Sequence, residues 1–98
     1  MPRRIVLTPD ARADLMAALD WYAENAPSIV PHIRRAQREL FDRIAVNPMQ
    51  FPVGAKNTRR AIMRRFPYVV VFVVTDDTAQ IIAFFHTSRD PRQWRRRI

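Results

Sequence analysis

The sequence predicts an α+β domain: an N-terminal strand, an α-helical hairpin, a three-stranded antiparallel meander completing one sheet, and a short C-terminal helix. Three observations carry this. Apolar residues recur at helical spacing between residues 9 and 47, β-branched and aromatic runs replace that spacing from residue 58, and polar turns separate the runs. Ninety-eight residues, 48% hydrophobic and 27% charged, suffice for one core and not two, so 1–98 reads as a single domain.

Residues 3–8, RRIVLT, form the first strand. Thr8 is an N-cap, Pro9 takes the first helical position, and Asp10 lies at the positive end of the helix dipole. Leu15, Ala18, Leu19 and Tyr22 then mark one buried stripe, and the helix ends near Asn25. The short link NAPS folds a second helix back on the first, from about Ser28 to Asn47, with Pro31 in its opening turn and Ile33, Ala36, Leu40, Phe41 and Ile44 facing the core. NPMQFPVGAKN, with two of the eight prolines and the single glycine, is loop.

TRRAIMRR, YVVVFVVT and AQIIAFFH are the three strands of the meander, the last two joined through TDDT. Side chains alternate along a strand, so Val69, Val71 and Val73 face one way and Tyr68, Val70, Phe72 and Val74 the other. Both faces are apolar and need cover. The helical hairpin supplies one cover; a partner, or a C-terminal helix opened by Asp90 and Pro91, supplies the other.

Composition excludes several classes of function. There is no cysteine for a disulfide or thiolate site, two histidines alone make no metal centre, and no cofactor is implied. The N-terminus lacks the apolar run of roughly 7 to 15 residues that export requires, and VVVFVV is far too short to span a membrane, so a cytoplasmic protein is expected. Seventeen basic residues oppose nine acidic ones, for a net charge of +8, and all the basic residues except Lys56 are arginine. Guanidinium presents a planar fork to carboxylate or phosphate, so the expected partner is acidic: nucleic acid, an enzyme that acts on it, or an acidic protein. Nine of the arginines, at 59, 60, 64, 65, 89, 92, 95, 96 and 97, are expected to converge through the sheet order into one positive region.

The element order, with RRFPYVVVF at 64–72 and HTSRDPRQWRRR at 86–97, resembles the RelE/ParE family of bacterial type II toxins along nearly the whole chain. The resemblance implies a toxin neutralised by an antitoxin that lays its C-terminal segment over the toxin surface. It also implies one of two mechanisms. The RelE-like branch cuts messenger RNA in the ribosome with basic residues on the central strands, including an arginine just after the tyrosine that enters the third strand. The ParE-like branch lacks that chemistry and poisons DNA gyrase.

Here that tyrosine is Tyr68 and the next residue is Val69, while the positions of the second-strand lysines are Arg60 and Ile62. The departure favours a ParE-like inhibitor of DNA gyrase, not itself an enzyme, held in a hetero-oligomer with a ParD-like antitoxin. The alternative is a ribosome-dependent endonuclease with Arg65, Tyr68, His86 and Arg89 as catalytic candidates. Cutting RNA through its 2′-hydroxyl needs a base, an acid and cations for the phosphorane, and histidine has the ordinary pKa for proton transfer near neutrality. A third reading is a family member that no longer harms cells and serves only to bind antitoxin or to address DNA.

Surface for target or antitoxin is assigned to Arg60, Arg64, Arg89, Trp94, Arg95 and Arg96. Purely structural roles stand beside these: His86 bonding the following turn, Arg89 or Asp90 pairing and capping locally, Trp94 anchoring the terminal helix, and Arg95, Arg96 and Arg97 as a solvated end.

Overall fold

The computed structural model describes every residue from Met1 to Ile98. In chain order the elements are β1 (Arg4–Leu7), α1 (Pro9–Asn25), α2 (Val30–Val46), β2 (Arg59–Ile62), β3 (Tyr68–Val74), β4 (Thr78–His86) and the single turn α3 (Arg92–Arg95). The α+β architecture is as the sequence predicts.

Thr8 caps α1, its side-chain oxygen accepting the Ala11 N–H at 3.1 Å, and Pro9 follows in the first turn, where no amide partner is needed. The second helix starts later than expected. Residues 27–29 form a 3₁₀ turn, and α2 proper begins at Val30 with Pro31 in its first turn. The expected strand over 58–65 is likewise shorter. It ends at Ile62 because the chain turns: the Met63 N–H bonds the Tyr68 carbonyl at 2.9 Å, and Arg65 is left-handed at φ 71°. Gly54, the sole glycine, has φ −120°; the left-handed residues in its loop are Lys56 and Asn57.

The sheet order is β1-β4-β3-β2, with β2, β3 and β4 antiparallel in succession. β1 returns to lie parallel to β4, Arg4 opposite Thr78 and Leu7 opposite Ile81. Tyr68, Val70 and Phe72 of β3 join α1 and α2 in a core that includes Leu19, Ile33, Leu40 and Ile44. Val69 and Val71 project from the opposite face into a smaller cluster with Ile82, Ala83 and Trp94. The second face is therefore covered by the chain's own C-terminal segment. Trp94 is 4% exposed, so it anchors α3 and offers no free ring for binding.

A β-bulge changes what β4 presents. Val71 pairs with Ala83 and Phe72 with Ile81, leaving Ile82 as the extra residue. Ala79 and Ile81 face the helices before the bulge; Phe84 does so after it. The one-residue shift turns His86, opposite Tyr68, to the helix side.

Past Leu7, β1 no longer accompanies β4, and polar side chains take over. The Phe84 N–H donates to Asp14 Oδ2 at 3.1 Å, and the Ile82 carbonyl accepts from Arg97 Nη1 at 2.9 Å. Arg97 also forks onto Asp14, at 2.6 and 3.1 Å. Arg97 is thus not a solvated end as expected. Its side chain is 25% exposed, and hydrogen bonding to Asp14 raises its pKa above the ordinary guanidinium value.

Candidate functional site

Between α1 and the far ends of β3 and β4 lies a recess of about 380 Å³, lined by Asp14, Trp21, Tyr22, Tyr68, Phe84, His86, Ser88 and Arg89 among others. Its aromatic floor is continuous. Tyr68 stacks on Phe84 at 4.9 Å between centroids and meets His86 edge-on at 5.4 Å, while Trp21 meets Tyr22 edge-on at 5.0 Å. The hairpin register brings Tyr68 and His86 opposite each other, and the turn after β4 carries Arg89 to the rim.

Three of the four catalytic candidates therefore meet. Arg65 is the exception, lining another recess with Arg64, beyond the edge-to-face contact of Tyr22 with Phe66.

Burial pushes the Tyr68 phenol above its ordinary value of 10.0, and the Tyr22 hydroxyl adds to this; Arg89 pulls the other way without reversing it. Tyr68 is then a neutral donor near pH 7, not a base. Because the folded state holds this proton more tightly than the unfolded state, stability falls as pH rises from the unfolded value through the folded one. In an absorbance titration the Tyr68→Phe variant is expected to lose the phenolate signal that appears above pH 10, whereas loss of a signal at or below pH 10 would contradict the burial.

His86 is engaged by its own turn. Its Nδ1 accepts the Ser88 N–H at 3.1 Å and lies 2.7 Å from Ser88 Oγ. An amide can only donate, so in this contact Nδ1 serves as the acceptor. A serine this close to imidazole resembles an activated nucleophile, but no carboxylate orients the ring. Asp14 is committed to Arg97 and the Phe84 amide, and Asp90 to Arg92. The pair is a turn cap. Asp90 accepts the Arg92 N–H at 2.9 Å and the Arg92 side chain at 2.8 Å, which hold its carboxyl below the ordinary range.

The nine arginines expected to converge do not. Strand alternation sends Arg59 and Arg60 to opposite faces of β2. Arg59 bonds the Phe51 carbonyl at 2.7 Å, and Arg60 stands exposed opposite Val71. Arg92 is paired with Asp90 and Arg97 with Asp14; Arg95 lies 5.9 Å over the Trp94 ring, and Arg96 is exposed beside it. Arg89 lines the aromatic recess, and Arg64 and Arg65 the other. Sequence reasoning missed Asp14, Trp21 and Tyr22 as neighbours of the site; they face it only because α1 crosses over the bulged end of β4.

Residues 5–91 match the family model of the ParE toxin of the type II toxin-antitoxin system parDE. Toxin ParE2 from two strains of Mycobacterium tuberculosis is 28% identical over 92 residues, a span of 93% of this chain and 88% of that protein. The chromosomal ParDE toxin-antitoxin system from P. aeruginosa contains a chain with the same fold, at a TM-score of 0.74 and 22% identity, covering 86% of this chain and 95% of that one. With 87 of its 98 residues matched to that family, the chain belongs to the ParE toxin family of type II toxin-antitoxin systems.

Proposed function

We propose that this ParE-family toxin inhibits DNA gyrase without cutting RNA and is neutralised by a ParD-like antitoxin. One observation carries the first part. Val69, the position where the ribonuclease branch carries its arginine, is 7% exposed and packed in the cluster beneath Trp94. A guanidinium there would displace that packing or leave a charge buried without a partner. The aromatic recess holds one free cation, Arg89, a neutral phenol and a histidine occupied by its turn, too little to replace the missing charge around a phosphorane.

Neutralisation fits the surface. Met16 and Trp21 on α1 are 52% and 56% exposed, and Trp21 walls the aromatic recess. An amphipathic antitoxin segment with acidic residues for Arg89 would cover them. Purified protein added to gyrase and relaxed plasmid is expected to halt supercoiling and leave linear DNA after protease treatment, with both effects suppressed by the ParD-like protein. Unaffected gyrase at stoichiometric excess contradicts the proposal.

The grouping of Tyr68, His86 and Arg89 favours the rival ribonuclease reading, and one substitution separates the two. His86→Ala is expected to keep growth inhibition within about threefold of the parent, because the imidazole does no chemistry. A loss of two or more decades with unchanged thermal unfolding would instead make His86 a proton-transfer group.

A further inference from the structure

Beyond the Tyr22–Phe66 contact, a recess of about 480 Å³ opens between α2 and the turn before β3. Arg35 and Arg43 enter it from α2, and Arg64 and Arg65 from the turn. Glu39 is the only carboxylate in its lining, and none of the four guanidinium groups forms an ion pair; the ion pairs of the molecule use Arg92 and Arg97. Like charges held together in one concavity repel, and an anion placed among them relieves that repulsion.

We propose that this recess grips the sugar-phosphate backbone of double-stranded DNA. The inference goes beyond gyrase inhibition and stands whether or not gyrase is the target. Arginine forks match the paired oxygens of phosphate. Arg35 and Arg43 are two turns apart on one face of α2, about 12 Å along the axis, which is the rise of three to four nucleotides on one strand. Arg65 holds its left-handed conformation at φ 71° in the turn that sets two consecutive arginines opposite that face.

An acidic peptide fits less well. Peptide docking draws on exposed apolar anchors, and none of the large exposed hydrophobic residues, Met16, Trp21, Met49, Val53 and Ile62 included, lines this recess. Leu40 in its floor is 2% exposed. Ile29 and Phe66 in the lining are half-buried, and the charge offered to a ligand comes from the four guanidinium groups.

The test uses the full chain and a fluorescein-labelled 20-base-pair duplex, with anisotropy read between 50 and 200 mM salt. Arg35→Gln/Arg64→Gln/Arg65→Gln is expected to weaken binding tenfold or more and to flatten the plot of log affinity against log salt by about 2 to 3, as loss of about three phosphate contacts requires. The charge-matched Arg3→Gln/Arg4→Gln/Arg12→Gln is expected to weaken it less than threefold. Circular dichroism melting confirms that both remain folded; if the recess triple does not, Arg35→Gln alone, at an exposed helical position, should still weaken binding about threefold. Equal losses in the two triples, no duplex binding by the parent at 50 mM salt, or stronger competition by an acidic peptide or by RNA of equal charge would each overturn the proposal.

Discussion

Asp14→Ala is expected to destabilise the protein by about 2 to 4 kcal/mol, a shift of 10 °C or more in the melting temperature of a chain this size. One carboxylate closes three interactions. It accepts the Phe84 amide where β1 has ended, and it receives both forks of Arg97, whose other contact is the Ile82 carbonyl at the bulge. Asp14 and Arg97 have side-chain exposures of 17% and 25%, so water restores little of what alanine removes. The pair spans 83 residues and ties the end of the chain to α1. A double-mutant cycle with Arg97→Ala should give a coupling above about 1 kcal/mol, and a melting shift under 2 °C for Asp14→Ala would mean that the bulged end of β4 is held by something else.

Trp94→Ala should cost about 3 to 5 kcal/mol, because the indole is the lid over Val69, Val71, Ile82 and Ala83. A total stability of about 5 to 15 kcal/mol makes this a large share. The same side chain carries an avoidable cost: its Nε1 hydrogen is buried without an acceptor. An orphaned donor costs about 1 to 3 kcal/mol, so Trp94→Phe, which loses ring area but removes the donor, should fall within about 1 kcal/mol of the parent. Urea unfolding at constant m-value checks both. Equal losses for alanine and phenylalanine would mean that the indole hydrogen has a partner.

The fold was legible where interactions are local. Thr8, Pro9 and Asp10 announce α1, the apolar stripe from Ile33 to Ile44 announces α2, and the alternation in YVVVFVV assigns Val69 and Tyr68 to their faces. Hairpin succession also places Tyr68 opposite His86. What could not be read depends on distant partners. β1 pairs in parallel with β4, more than seventy residues away, and nothing in RRIVLT names that neighbour. The Ile82 bulge decides which face His86 occupies, yet IIAFF alternates no differently for it. A run of arginines at a helix end looks solvated until Asp14 is seen beside Arg97. The expected convergence of nine arginines failed because strand parity, a left-handed turn and local pairing each redirect some of them.

The gyrase reading predicts a distinct order of damage inside cells. After induction of the toxin, chromosomal double-strand breaks and messenger-RNA 5′ ends can be mapped from the same culture. Breaks at gyrase sites should appear while transcripts are still intact and translation continues. Codon-positioned cuts in transcripts, with the chromosome unbroken, would contradict the account and return His86, Tyr68 and Arg89 to catalysis.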